Sequence, residues 1–366
     1  MKIAQVAPLY EAVPPRAYGG TERVVSALCD QLCKAGHDVT LFASGGSVTA
    51  AHLAAIVPAP LREHMSREAL IETAPHLHLQ MLSEVYRRAG EFDLIHAHTD
   101  LLTLPFVQLT TTPTVITMHG RLDIDTVSRI LPLYPEVPLV SISDDQRRAL
   151  DQFPLRWIGT AYNGLNLDRY QQDPVKRGEY LAFVGRLTPE KRPDWAVEVA
   201  RRTGMPLRVA AKVDPIDFAY WESVIKPLFE ANDVDFVGEI TEAEKPAFFG
   251  GAAATLFPVD WPEPFGLVII ESLAAGTPVI ALRRGSIPEL LTDGRNGYIC
   301  DDVDEMVSAV SRLNQIDLDE CRSSARRFSD RAMAERYLEI YEEVLAIERR
   351  PAPAGADFES IAYHTR

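Results

Sequence analysis

Long apolar runs are scarce in this chain of 366 residues. The one long uncharged stretch, Leu101 to Met118, holds six threonines, Gln108 and two prolines, poor material for a bilayer-spanning helix. No transmembrane segment is expected. The opening Met1-Lys2-Ile3-Ala4-Gln5-Val6 runs into folded-looking sequence without the apolar stretch and small-residue cleavage site of a secretory signal, so the expected location is cytoplasmic. Cysteine is sparse: Cys29, Cys33, Cys300 and Cys321 lack zinc-type pairing, and the close pair sits in a helical pattern, which predicts reduced, half-buried thiols. Basic charge is also short, with 37 Lys and Arg against 52 Asp and Glu. The net charge of -15 repels polyanions, and nucleic acid is not an expected partner. The deficit is uneven, because residues 1–165 carry 13 basic and 17 acidic side chains and the later residues hold most of the excess. The dinucleotide fingerprint G-x-G-x-x-G after the first strand is missing, which argues against a nicotinamide dehydrogenase.

What is present is the balance of an ordinary globular protein, 46% apolar and 24% charged. The length predicts two domains. Short β-branched runs alternate with helical patterns, which argues for parallel sheets wrapped by helices, an α/β fold. One series contains Lys2 to Val6, Val39 to Ala43, Leu94 to Ala97, Thr114 to Met118 and Leu139 to Ile142. A second contains Tyr180 to Val184, Leu207 to Ala211, Val234 to Val237, Ala254 to Phe257, Pro278 to Leu282 and Tyr298 to Cys300. Between them, Asn163-Gly164 and the polar, proline-containing stretch 171–178 read as turn and linker. The expected division is a doubly wound domain over 1–170, a second over 171–330, a helix over 331–349 packing back across existing surface, and a tail over 350–366. That helix places Met333, Tyr337, Ile340, Tyr341, Val344 and Leu345 on one stripe. Thr21 is expected to start a helix with Val24, Val25, Leu28 and Leu32 on one face, and Thr241 to Glu244 reads as a capping box.

Two such sheets in tandem imply a cleft lined by loops at the carboxyl ends of strands. Three stretches stand where such loops belong. Gly19-Gly20 precedes a helix, where glycine lets backbone approach a ligand and aim N–H groups at an anion. Its bland reading is a simple chain turn. Gly185-Arg186-Leu187-Thr188-Pro189-Glu190-Lys191 runs from a strand end toward a helix start, and Arg186 with Lys191 suits phosphate oxygens there, against the alternative of solvated loop charges. Trp261-Pro262-Glu263-Pro264-Phe265-Gly266 leads into a helix that carries Glu271 among Val268, Ile269, Ile270, Leu273 and Ala274. A carboxylate in such company needs a donor, and a ribose diol is one. His96-Ala-His98-Thr-Asp100 and Asp123-Ile-Asp125 match metal motifs by letters only, and no metal is expected. His119 ends an apolar strand and is expected in the cleft or as a satisfied core residue.

Glu263 to Glu271 is the E-x7-E spacing, and with Gly19-Gly20, the Thr-Met-His119-Gly strand end, Asn163-Gly164-x-x-x-Asp168, Gly185-Arg186-Leu187 with Lys191, and Gly285-Ser-Ile-Pro288-Glu289 with Asp293-Gly294-x-Asn296-Gly297, the chain resembles the retaining nucleotide-sugar glycosyltransferases of family GT4 over nearly its whole length. The resemblance implies the GT-B fold, two Rossmann-like domains facing across a cleft. It implies that Arg186 and Lys191 bind the donor diphosphate, approached by Gly19 and Gly20 from the other domain. Glu271 would hold the ribose, Glu263 would touch sugar hydroxyls, and His119 would lie near the C6 side. Phe265, Gly266 and Leu267 would present backbone to sugar and phosphate, while Glu239 and Ile240 match the stretch that meets the base. Two departures are Lys212, where the family often has a glycine-rich strand end and which offers another phosphate contact, and Arg192-Pro193, where it usually has glycine. The implied activity is metal-independent retaining transfer of a hexose, glucose by default, from a UDP-sugar to a sugar, small metabolite or glycolipid, with peripheral membrane contact left open and no cofactor beyond the donor. A GT-B epimerase and a non-catalytic nucleotide-sugar binding protein are the alternatives.

Overall fold

The computed structural model describes residues 1–16, 19–170, 177–214 and 217–348. Tyr18, most of the expected linker and the expected tail lie outside the described residues. The first sheet is built from β1 (Lys2–Val6), β2 (Asp38–Ser44), β3 (His52–Val57), β4 (Leu94–Ala97), β5 (Thr114–Met118), β6 (Leu139–Ser141) and β7 (Trp157–Thr160). All pairings are parallel and the order is β3-β2-β1-β4-β5-β6-β7. The second contains β8 (Tyr180–Arg186), β9 (Leu207–Lys212), β10 (Asp235–Gly238), β11 (Ala252–Phe257), β12 (Val279–Leu282) and β13 (Gly297–Cys300), also parallel, in the order β10-β9-β8-β11-β12-β13.

The central strands are mostly apolar because both sheet faces are covered by helices. Every residue of β4, β5, β11 and β12 is buried. Absent from the sequence reading are β3 and β7, both sheet edges. An edge strand is half wetted and needs no unbroken apolar run: the alanines of β3 have weak strand preference, and β7 contains Gly159. The four cysteines are unpaired, three of them buried. Among the described residues no helix is long and apolar enough to cross a membrane.

The helix Gly20–Lys34 buries Val24, Val25, Leu28 and Leu32, the expected stripe. The last described helix, Asp330–Glu348, starts beyond the second sheet yet packs on the first domain. Its Met333, Tyr337, Ile340, Tyr341 and Val344 join Ile3, Val24, Leu28, Val39 and Val140 in one core.

Each sheet reverses its winding direction once, between β1 and β4 and between β8 and β11. At such a switch the loops leave the strands in opposite directions and open a crevice at the carboxyl ends. The loops after all four strands line one cleft of about 830 Å³.

Candidate active site

Every sequence-predicted site residue lines this cleft: His119, Gly19 and Gly20 from the first domain, and Arg186, Lys191, Lys212, Glu239, Ile240, Glu263, Phe265, Gly266, Leu267 and Glu271 from the second. Gly19 is pressed against Pro15, where an added Cβ would lie 2.7 Å from the proline Cβ, and Gly20 faces Leu267 across the domains. The helices Gly20–Lys34 and Leu267–Ala274 both begin at the cleft, and neither has a side-chain cap on its first turn. Their N-terminal dipole ends therefore favour anions at this place.

Glu271 is fully buried, and its Oε1 accepts from Tyr170 hydroxyl (2.9 Å), Lys245 Nζ (2.8 Å) and Arg23 Nη1 (2.9 Å). Burial alone would raise its pKa, but Lys245 and Arg23 beside it hold the carboxyl below its ordinary value. Its Oε2 is equally buried and accepts no hydrogen bond among the described residues. A buried carboxylate oxygen left unpaired costs roughly 1–3 kcal/mol, so this atom is poised for a donor beyond the described residues. Lys245 and Arg23 also reach Glu242, each at 2.6 Å. The sequence reading missed Arg23, Tyr170, Glu242 and Lys245. Arg23 was legible as a cation on the first turn behind the glycine pair, whereas Glu242 and Lys245 were hidden in what reads as a capping signal. That signal holds in part: Glu244 Oε2 accepts from Thr241 N at 2.7 Å, but the Thr241 hydroxyl donates to the same oxygen instead of capping.

On the other side of the Leu267–Ala274 helix mouth, Glu263 Oε2 accepts from Lys191 Nζ (2.5 Å) and Trp261 Nε1 (2.6 Å). Lys191 also lies over the Trp261 ring, 5.0 Å from its centre. The predicted phosphate ligand and the predicted sugar ligand are thus a pair with each other, and a donor phosphate would share Lys191 with Glu263. Gly285 supports this loop: its φ is +57°, and a Cβ there would lie 2.4 Å from the backbone N and O of Glu263. Ser286 N donates to Glu263 O (3.0 Å), and its hydroxyl donates to Phe265 O (2.8 Å). Arg186 borders the cleft at the end of β8, with Glu190 4.0 Å away.

Arg192 takes the left-handed conformation that a glycine would adopt easily, at φ 51° and ψ 52°. The cost, about 1–2 kcal/mol for a residue with a side chain, is offset by a fork onto Asp194 (2.6 and 3.0 Å) and stacking on Trp195. The backbone therefore turns as glycine would, and Lys191 still faces the cleft.

In the first domain, His119 Nε2 lies 2.8 Å from His98 Nδ1, and its backbone N–H donates to Asp100 Oδ1 at 3.1 Å. Burial pushes His119 down to about 4, holds His98 and His96 well below their ordinary value, and raises Asp100 to about 6. The ring nitrogens of His96 and of His98 are all engaged within the protein. Asp123 is forked by Arg121, and Asp125 pairs with Arg129. Outside the residues expected from the sequence, Tyr10 and Arg62 reach the cleft beside Glu22, a buried carboxyl raised to about 7 by desolvation.

The comparisons agree with this geometry. The family described as glycosyl transferases group 1 matches residues 167–334, and the one described as glycosyltransferase family 4 matches residues 18–169. The chain is a family 4 glycosyltransferase with the GT-B fold. It is thus an enzyme that transfers sugar. This glycosyltransferase is 26% identical over 348 residues to a phosphatidyl-myo-inositol mannosyltransferase of Mycolicibacterium smegmatis, covering 85% of this chain and 84% of the relative. It is 25% identical over 390 residues to a D-inositol 3-phosphate glycosyltransferase of Corynebacterium glutamicum, covering 90% and 93%. A sucrose-phosphate synthase of Thermosynechococcus elongatus has the same fold, with TM-score 0.79 at 19% identity over 95% of this chain and all of that one. Anabaena Alr3699/HepE in complex with UDP superposes with TM-score 0.73 at 20% identity, covering 94% and 100%.

Proposed function

We propose that this glycosyltransferase moves a hexose from a nucleotide diphosphate sugar, UDP-glucose by family habit, to an acceptor hydroxyl in the interdomain cleft with retention of configuration. The observation that carries the reading is the open Oε2 of Glu271, buried in the same cleft as Arg186 and Lys191. Ribose hydroxyls donate to that oxygen, and the base lies toward Glu239 and Ile240. The diphosphate lies between the N-termini of Gly20–Lys34 and Leu267–Ala274, held by Arg186 and Lys191, with Lys212 at the end of β9 adding charge.

Breaking the sugar–phosphate bond builds negative charge on the leaving diphosphate and positive charge on the sugar ring. Two side-chain cations and the aligned helix dipoles answer the first, the task a metal ion would otherwise perform. Glu263 holds sugar hydroxyls and is released from Lys191 as the diphosphate draws that cation. His119, neutral at physiological pH, meets the C6 side of the ring. The departing phosphate takes the acceptor proton on the front face, so no covalent enzyme intermediate forms. The acceptor enters past Tyr10, Glu22 and Arg62, and the unpaired thiols fit a reducing cytoplasm.

A melting panel with UDP-, GDP- and ADP-sugars tests the donor, because a ligand of the folded state raises the midpoint. Incubation of the stabilising sugar with an acceptor extract then tests the chemistry. Transfer supports the reading; inversion at C2 without transfer identifies an epimerase, and tight binding without turnover a sugar-nucleotide sensor.

A further inference from the structure

Beneath the cleft, a line of polar side chains crosses the core of the first domain. It starts at the Tyr337 hydroxyl on the Asp330–Glu348 helix and runs to Thr117 Oγ1 (3.0 Å), His96 Nε2 (2.7 Å) and, from His96 Nδ1, the Tyr341 hydroxyl (2.7 Å). Tyr341 is 2.9 Å from the Gln5 amide, whose other end is 2.9 Å from His98 Nε2; His98 Nδ1 then meets His119 Nε2 at 2.8 Å. Gln5, His96, Thr117, Tyr337 and Tyr341 are fully buried, and His98 is 1% exposed. Gln5 of β1 and His96 of β4 are neighbours in register. Apolar side chains would fill this space at no desolvation cost, so an unbroken polar line here asks for a use.

Such a line has a direction. A hydroxyl, a neutral imidazole or the two ends of an amide each give one hydrogen along the line and accept one from it, and burial keeps these imidazoles neutral. All links point the same way when every hydroxyl hydrogen in the line has an acceptor. If they pointed toward Tyr337, its hydroxyl hydrogen would be buried without an acceptor, since Thr117 is its one hydrogen-bond partner among the described residues. That costs roughly 1–3 kcal/mol. Pointing the other way gives every hydrogen within the line an acceptor up to His119. The structure places Gln5 Nε2 on Tyr341 and Oε1 on His98, the orientation that runs toward Tyr337; the satisfied direction has this amide turned over, with its oxygen on Tyr341. Amide oxygen and nitrogen have one shape, so the hydrogen count decides between them.

We propose that this buried line fixes the tautomer of His119 from the C-terminal helix, leaving its proton on Nδ1 as a hydrogen-bond donor to an oxygen of the substrate. Tyr337 and Tyr341 are then positioning residues: they touch no substrate and act through His119, whose Nδ1 has no protein partner among the described residues and whose ring borders the cleft. Docking of the last helix, which begins past the second domain, is thereby coupled to the hydrogen bonding of a residue between the domains. A merely satisfied polar core would leave the His119 proton free to occupy either nitrogen.

Long-range ¹H–¹⁵N spectra of histidine-labelled full chain, without substrate, distinguish the two tautomers. The wild type is expected to show His119 as the Nδ1–H form alone. Tyr341→Phe cuts the line and Tyr337→Phe removes its first donor while both keep the packed ring, and each is expected to bring up the Nε2–H form at His119. An Nε2–H form in the wild type overturns the proposal, as does an unchanged His119 in both variants with the fold intact by melting. Only the catalytic consequence rests on the proposed function: turnover falls in Tyr341→Phe while donor KM stays near wild type. A shifted tautomer with unchanged turnover would sink that role for His119 and leave the line itself standing.

Discussion

The two walls of the cleft hold their polar groups by opposite means. The second domain does it with charge: Lys191 on Glu263, and Lys245 on Glu271 and Glu242, joined by Arg23 from across the cleft. Around His119 the first domain does it without charge, through neutral imidazoles, an amide and hydroxyls joined end to end. Charge suits a diphosphate and a ribose, whose recognition needs strong, oriented partners. A neutral wall suits a sugar ring that turns cationic as its bond to phosphate breaks, because an imidazolium there would oppose the reaction.

Removing a cation from the second domain is expected to have the largest effect. Arg186→Ala and Lys191→Ala are each expected to lower kcat by about a hundredfold or more, the scale seen when an electrostatic stabiliser of a transition state is removed. Near-normal steady-state rates would break the phosphate assignment. Among the carboxylates, Glu263→Ala is expected to reduce turnover most, and Glu271→Ala to act mainly on donor binding. Losing the ribose hydrogen bonds weakens the donor Kd by roughly tenfold to a hundredfold, which calorimetry with UDP reads directly. The same change leaves Lys245 and Arg23 short of a partner, so the melting point falls as well.

The neutral wall predicts a pH effect. An unfolded histidine takes its proton near its ordinary pKa, but folded His119 does so only at about 4, and His96 and His98 are likewise held down by burial. The unfolded state therefore binds more protons as pH falls below the ordinary histidine value, and folding stability drops. The slope approaches about 1.4 kcal/mol per pH unit for each such histidine. Asp100, raised to about 6, and Glu22, raised to about 7, titrate the other way and offset part of this slope, so the three histidines leave a smaller net fall. Urea midpoints that do not fall between pH 6.5 and pH 5 would contradict a neutral cluster. The smallest effect is expected at Arg192→Gly, which relieves the left-handed backbone but loses the Asp194 fork, for a net change within about 1 kcal/mol.

Central strands such as β1, β4 and β5 were legible because burial on both faces demands a mostly apolar run, interrupted here by Gln5, His96 and Thr117. The edge strands β3 and β7 were not, since one wet side relaxes that demand and alanine and Gly159 weaken the strand signal that the edges β10 and β13 keep. The site followed the same logic. Glu271 is an odd carboxylate inside an apolar helix, and Lys191 follows a strand end, so each stands out from its neighbours. Glu242 and Lys245 look like ordinary helix-start charges, and only the fold brings them to Glu271. Gln5 and Tyr341 are 336 positions apart, and nothing local signals their contact.

The most direct test of the account is a crystal structure with UDP bound. The account predicts ribose hydroxyls within hydrogen-bond reach of Glu271 Oε2 and phosphate oxygens on Arg186 and Lys191. UDP seated away from these three side chains would contradict it.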